Sequence, residues 1–115
     1  MTKLISRLEL QNMMYDTKLV LIEALPEHYF RSGHLPNALH LPHDKVDQLA
    51  AILLPDSAAP IVVYCANIHC QNSHKAARRL EQLGYVNVAV YAGGKQDWHE
   101  AGLALHKLEL DSTTV

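Results

Sequence analysis

Cysteine is scarce in this chain of 115 residues, and neither sign of charge is in clear excess. The two cysteines, Cys65 and Cys70, are too few and too close together for the disulfide framework of a secreted scaffold. Ten Lys and Arg against 12 Asp and Glu give a formal charge of −2, which offers no basic field to nucleic acid or an anionic membrane. In a reducing compartment, such a cysteine pair indicates reactive thiols or metal ligands.

Long hydrophobic runs are also lacking. The N-terminus soon reaches charged and polar residues, so it has no signal-peptide core, and no run approaches membrane-spanning length. We therefore expect a cytoplasmic protein with no membrane or nucleic-acid partner. An apolar fraction of 49% is enough for one core, which predicts a single domain over residues 1–115. Residues 106–115 have no clear periodicity, and we expect a frayed tail there.

The remaining sequence alternates between strand and helix patterns. Apolar runs predict strands at 18–23, 38–41, 61–64 and 86–91. Between them, amphipathic spacing, capping residues and glycines predict helices that begin near Ser6, Pro26, Val46, Ser73 and Gly94. This alternation indicates an α/β fold with a mostly parallel central sheet and helices on both faces.

The polar loop after strand 61–64 carries the candidate chemistry. Cys65 directly follows that strand, and ligands of open α/β sheets bind outside the carboxyl ends of the strands. The loop N–H groups and the N-terminus of the next helix, capped by Asn72 or Ser73, are expected to surround the sulfur and lower its pKa. The candidate binding residues all lie in this loop: Ala66, Asn67, Ile68, His69, Gln71, Asn72 and Ser73.

Three segments, in this order, resemble the signatures of single-domain rhodaneses. They are residues 21–42 with the turn Gly33-His34-Leu35-Pro36-Asn37-Ala38, the strand that presents Cys65, and Gly93–Gly102 in the form G-G-x-x-x-W-x-x-x-G. The resemblance covers residues 6–105 and implies a rhodanese-like three-layer fold. It also implies a sulfurtransferase, in which Cys65 takes up a sulfane sulfur as a persulfide, and we expect no cofactor.

The cysteine loop departs from the family pattern. The usual C-x-x-G-x-R loop is followed by Ser or Ala; if Ser73 is that Ser, this loop is two residues longer and lacks the Gly and the Arg. His69, His74 and Lys75 are its only candidate cations, so a small dianion such as thiosulfate would find little to bind. We therefore expect the donor to be a persulfidated thiol, on a small molecule or on a partner protein.

A second departure lies at the end of strand 18–23. Glu23-Ala24-Leu25 stands where Asp-Val-Arg is common in the family. An ion pair often expected at that position cannot form there in the same way.

Several alternatives stay open. Cys70 is interpreted as a resolving or relay thiol, or else as a small filler residue. A catalytically inactive module, or a redox sensor that uses Cys65 and Cys70, is the alternative to an enzyme. Zinc binding by Cys65, His69, Cys70 and His74 is disfavoured, since ten residues joining a strand to a helix give poor tetrahedral geometry, and we predict no metal. Phosphatase activity is disfavoured because the cysteines lack the Arg of an H-C-x₅-R loop.

Four further residues are given structural interpretations. His34 is expected to hold its turn by hydrogen bonding, and Trp98 is expected in the core. Tyr64 is expected to pack beside the nucleophile. Asp97 has no evident partner in the sequence and is predicted to be a solvated surface carboxylate.

Overall fold

The fold is built on a parallel sheet, as seen in a computed structural model that describes residues 2–107. In this part of the chain, five strands pair in parallel in the order β1-β5-β4-β2-β3. The predicted α/β class is therefore confirmed. The strands are β1 Lys3–Ile5, β2 Val20–Glu23, β3 Leu39–His40, β4 Ile61–Tyr64 and β5 Val88–Tyr91.

The edge strand β1 was not predicted. It pairs with β5 through Lys3, Leu4 and Ile5. Only Ile5 among these residues is buried. Three residues with one buried side chain give no alternation to detect, so tertiary pairing rather than sequence pattern defines this strand.

The five predicted helices all form in the described range. The capping box at the start of the first is confirmed, since Ser6 Oγ accepts from the Glu9 N–H at 3.2 Å and Glu9 Oε1 accepts from the Ser6 N–H at 2.9 Å. A short 3₁₀ turn, His43–Lys45, precedes the third. The helices are α1 Arg7–Met13, α2 Glu27–Ser32, α3 Val46–Leu53, α4 Asn72–Gln82 and α5 Gly94–Glu100.

The predicted cap of α4 is wrong. Gln71 is the N-cap residue, and no side chain caps this helix. Ser73 lies instead inside the first turn and is buried. Its hydroxyl is engaged by Cys65 rather than by the backbone of its own helix.

Alternating side chains of the strands fill two cores, one on each face of the sheet. On one face, Ile22, Val63 and Val90 pack with residues of α3 and α4 such as Ala50 and Leu80. The other face has a separate set of side chains, contributed by β2, β4, β5, α1, α2 and α5: Leu21, Val62, Tyr64, Tyr91, Leu10, Phe30 and Trp98. The three-layer arrangement and the core position of Trp98 are thus confirmed.

The turn around His34 is tied to the far end of the described chain. His34 and His106 exchange backbone hydrogen bonds of 2.8 Å in both directions. The ring of His34 stacks on Phe30, and its Nδ1 lies 2.9 Å from the Phe30 carbonyl oxygen. The hydrogen-bonding role of His34 is confirmed, whereas the expected fraying is wrong at His106; residues 108–115 lie outside the described range.

None of the helices in residues 2–107 combines the length and the apolar character needed to cross a membrane.

Candidate active site

Cys65 emerges at the carboxyl end of β4, in the middle of the sheet. Its side chain is buried, with 1% of the residue exposed. Its Sγ lies 3.2 Å from the hydroxyl of Ser73, in the first turn of α4, and 3.5 Å from the carbonyl oxygen of Cys70. The strand end and the helix start are therefore in direct contact through one thiol.

The carbonyl side of the same turn is held by α5. The N–H of Lys95 donates to the Cys65 carbonyl at 3.0 Å, and the N–H of Gln96 donates to the Ala66 carbonyl at 2.9 Å. These donors belong to the first turn of α5, where N–H groups have no partner within the helix. A helix N-terminus thus fixes the backbone from which the thiol projects.

Gly94 makes this approach possible. It adopts φ +64°, and a Cβ added there would collide with the Cys65 carbonyl oxygen. Both the backbone conformation and the close approach require glycine. Gly94, the second glycine of the pair that marks the start of α5 in the sequence, therefore has a direct function in placing the cysteine.

The loop between β4 and α4 is folded by its own hydrogen bonds. Asn67 Oδ1 accepts from the His69 N–H at 2.9 Å, and the Asn67 carbonyl accepts from the Cys70 N–H at 3.1 Å. This arrangement leaves the Cys70 carbonyl directed at the Cys65 thiol, which donates to it. Asn67 therefore stabilises the turn within the loop by accepting two hydrogen bonds from its backbone.

The candidate binding residues occupy different depths. Ile68, His69 and Gln71 are exposed, and Ser73 is buried. The others are half-buried: Ala66, Asn67, Cys70 and Asn72. In the described residues, the hydrogen-bonding groups that act on Sγ are those of Ser73 and those of Cys70, its carbonyl and its side chain. The expected ring of N–H groups from 66–72 is not formed around the sulfur in this conformation.

The electrostatics of the thiol also differ from the expectation. Burial, followed by the hydrogen bond to the Cys70 side chain, raises the pKa of Cys65 to about 11. The hydroxyl and N–H of Ser73 oppose this shift. The predicted lowering of the Cys65 pKa is wrong for this conformation, because desolvation outweighs the donors at the start of α4.

Glu23 has a cationic partner that sequence reasoning missed. Its carboxylate is fully buried, and Oε2 lies 2.9 Å from the ammonium of Lys95. Oε1 accepts from the Tyr64 hydroxyl at 2.8 Å, and that hydroxyl accepts from the Leu35 N–H at 3.0 Å. A lysine from another element, Lys95, thus forms an ion pair with Glu23 although the Arg of the family pattern is missing. The Tyr64 side chain is part of the core shared with α1, α2 and α5, and its hydroxyl joins this network.

Asp97 is not the unpartnered carboxylate that we predicted. Arg7 Nη1 lies 3.1 and 3.0 Å from its two oxygens, and Tyr91 donates its hydroxyl at 2.5 Å. Asp97 therefore joins α5 to α1 and to β5. It stabilises the helix that binds the Cys65 carbonyl.

The four residues of the disfavoured zinc hypothesis do not converge. Across residues 2–107, no group of three or more His, Cys, Asp or Glu side chains is arranged to hold a metal ion. Both cysteines are free thiols.

The fold and the site together define a class: a parallel α/β domain that presents one cysteine between the end of a central strand and the N-termini of two helices. The family model for the rhodanese-like domain matches residues 6–101. The chain belongs to the rhodanese-like domain family.

Its relatives include sulfurtransferases. Thiosulfate sulfurtransferase GlpE of Coxiella burnetii is 29% identical over 98 residues, which are 85% of this chain and 88% of that protein. Adenylyltransferase and sulfurtransferase UBA4 of Candida albicans is 32% identical over 87 residues, 72% of this chain. A crystal structure of thiosulfate sulfurtransferase from Pseudomonas aeruginosa has a TM-score of 0.79 and 26% identity over 91% of this chain. This chain covers 20% of each of the latter two proteins. Such relatives support sulfur transfer as the general class of activity.

Gly94→Ala tests the contact between α5 and the Cys65 carbonyl. The left-handed conformation costs about 1–2 kcal/mol for alanine, and the steric conflict with the carbonyl adds about 1–3 kcal/mol. We expect the free energy of unfolding, measured by urea denaturation, to fall by about 2–5 kcal/mol. Gly102→Ala is the matched control, since Gly102 has φ +83° and no atom within 4 Å of the added Cβ. Equal losses in the two variants would contradict this interpretation.

The raised Cys65 pKa predicts a stability loss at alkaline pH. The unfolded chain releases the thiol proton near pH 9, whereas the folded protein keeps it to about pH 11. The free energy of unfolding therefore falls by about 2 kcal/mol as the pH rises from 8 to 11. The measurement is urea unfolding at each pH. In Cys65→Ser, the part of the fall that comes from ionisation of the Cys65 thiol should be absent. If wild type and Cys65→Ser lose stability in parallel, the Cys65 pKa is not raised.

Proposed function

We propose that this protein is a sulfurtransferase in which Cys65 carries a sulfane sulfur as a persulfide. The observation that carries the proposal is the position of the Cys65 thiol, at the end of β4 and 3.2 Å from the Ser73 hydroxyl at the N-terminus of α4. A terminal persulfide sulfur on Cys65 would meet this hydroxyl and the free N–H groups of the first helical turn. Both stabilise anionic sulfur.

The proposed transfer has two steps. The Cys65 thiolate attacks the outer sulfur of a persulfidated thiol, R–S–SH; the donor S–S bond breaks, a new S–S bond forms on Cys65, and R–SH leaves with the proton. An acceptor thiolate then attacks the outer sulfur of the Cys65 persulfide: the S–S bond to Cys65 breaks, a new S–S bond makes the acceptor a persulfide, and Cys65 leaves as the thiol with the proton. No external oxidant or reductant is consumed, since the sulfane sulfur keeps its oxidation state.

The buried thiol described above is proposed as the resting state. Only a thiolate attacks sulfur efficiently, and burial holds the Cys65 pKa well above neutrality. Turning the Cys70 carbonyl away from Sγ would remove an acceptor that opposes the anion and admit the donor. Asn67 closes the turn that contains Cys70, because the Cys70 N–H donates to the Asn67 carbonyl oxygen.

A second candidate function is a thiol redox sensor. Cys65 and Cys70 are free thiols in one short loop, and the Cys70 carbonyl is 3.5 Å from the Cys65 sulfur. Oxidation by a peroxide would join the two sulfurs in a disulfide, with reduction of the peroxide to water and release of no sulfur.

Mass spectrometry of single-cysteine variants distinguishes these functions. After incubation with glutathione persulfide and gel filtration, wild type and Cys70→Ser should each gain one sulfur atom on Cys65, and Cys65→Ser should gain none on that loop. This follows because only Cys65 projects from the strand end toward Ser73. Absence of added sulfur in Cys70→Ser, together with a 65–70 disulfide in peroxide-treated wild type, would replace the transferase by the sensor.

The donor preference makes a separate prediction. No cationic side chain is among the groups that act on the Cys65 thiol in the described residues. A dianion gains little there, whereas a persulfidated thiol needs no charge pairing. We expect kcat/KM for glutathione persulfide to exceed that for thiosulfate by about tenfold or more, measured by sulfur transfer to cyanide or dithiothreitol. Equal or greater activity with thiosulfate, the donor in the name of the GlpE relative, would contradict this preference.

A further inference from the structure

Lys95 contacts both the nucleophile and a buried carboxylate, through different parts of the same residue. Its backbone N–H donates to the Cys65 carbonyl at 3.0 Å. Its side chain runs the other way, into the interior, where Nζ lies 2.9 Å from Glu23 Oε2 and 2.6 Å from the Tyr29 carbonyl oxygen. Only 14% of the Lys95 side chain is exposed.

The ion pair that holds Lys95 differs from the surface pairs of this chain. Glu23 is fully buried, and among the described residues its Oε2 has no hydrogen-bond donor besides this ammonium. Glu27–Arg31 and Asp47–Arg79 join side chains that are 41–66% exposed, and such pairs are weak because water competes for both charges. Removing one partner of a buried pair, by contrast, leaves an uncompensated charge in the interior.

The geometry links this pair to the presentation of the thiol. Lys95 is in the first turn of α5, next to Gly94. Gly94 lies so close to the Cys65 carbonyl that not even a Cβ atom fits between the helix and the end of β4. An anchor on the Lys95 side chain therefore limits how far the N–H groups of Lys95 and Gln96 can move from the Cys65 and Ala66 carbonyls. Those carbonyls fix the backbone from which Sγ projects toward Ser73.

We propose that Lys95 is a positioning residue for Cys65: its ammonium, held by the buried Glu23 carboxylate and the Tyr29 carbonyl, anchors the start of α5 against the backbone that carries the thiol. The proposal rests on the proposed function of Cys65 as the nucleophile. Lys95 is not among the groups that act on the Cys65 sulfur, and its contact with Cys65 is through the backbone carbonyl.

Three variants separate positioning from simple stabilisation. Lys95→Met keeps most of the side-chain volume but removes the anchor. The double variant Glu23→Gln, Lys95→Met removes both charges. No unpaired carboxylate then remains in the interior to destabilise the fold. Arg79→Met is the matched control, because it breaks the exposed pair between Arg79 of α4 and Asp47 of α3, away from the carbonyl contacts.

In Lys95→Met we expect kcat for sulfur transfer from glutathione persulfide to fall about tenfold, with KM changed less than twofold. The reason is that a misplaced thiol raises the activation barrier without weakening donor binding. Amide hydrogen exchange at residues 95 and 96 should accelerate at least about tenfold, because their N–H groups lose fixed acceptors. The double variant should regain thermal stability over Lys95→Met but keep the low kcat and the fast exchange. Arg79→Met should match wild type in all three measurements.

Four results would overturn the proposal: an unchanged kcat or unchanged exchange in Lys95→Met, recovery of kcat together with stability in the double variant, or an equal fall of kcat in Arg79→Met. If Lys95→Met does not fold, the double variant alone decides, and its kcat and exchange at residues 95 and 96 are compared with those of wild type. Failure of the proposed function is distinguishable, since wild type would then transfer no sulfur, whereas hydrogen exchange still reports whether the ion pair anchors the start of α5.

Discussion

Two backbone hydrogen bonds at the carboxyl end of β4 determine how the rest of the site is arranged. Through them the first turn of α5 holds the Cys65 and Ala66 carbonyls, and Gly94 permits the approach. With its carbonyl fixed toward α5, Cys65 directs its side chain toward α4 and Ser73. A parallel sheet brings such strand and helix ends to one edge, so a single cysteine can be held from two sides by helix N-termini.

Local pattern predicted the elements well because their signals lie within a few residues. The capping box of Ser6 and Glu9 and the buried run of β4 need no distant partner to be recognised. Contacts remote in sequence gave no such signal: Asp97 binds Arg7, 90 positions away. Lys95 pairs with Glu23 on another element; an ionisable residue ending an apolar strand was the one hint that a partner had to exist.

The electrostatics of the cysteine show why residue types alone do not define a site. A polar loop before a helix favours an anion, and that composition supported a lowered Cys65 pKa. Burial of the thiol decides otherwise, and the Cys70 carbonyl oxygen faces the sulfur from 3.5 Å. Desolvation then exceeds the stabilisation from Ser73. Peptide orientation depends on φ and ψ angles that loop composition does not specify.

The hydrogen bonds of Asn67 make the segment between β4 and α4 a self-contained module. Its two ends are fixed by the sheet and by α4, while its internal turn is closed by Asn67 with the backbone of His69 and Cys70. Lengthening such a surface segment costs little entropy and disturbs neither core. A change in the length of this loop can therefore be accommodated without rearrangement of the sheet or of either core.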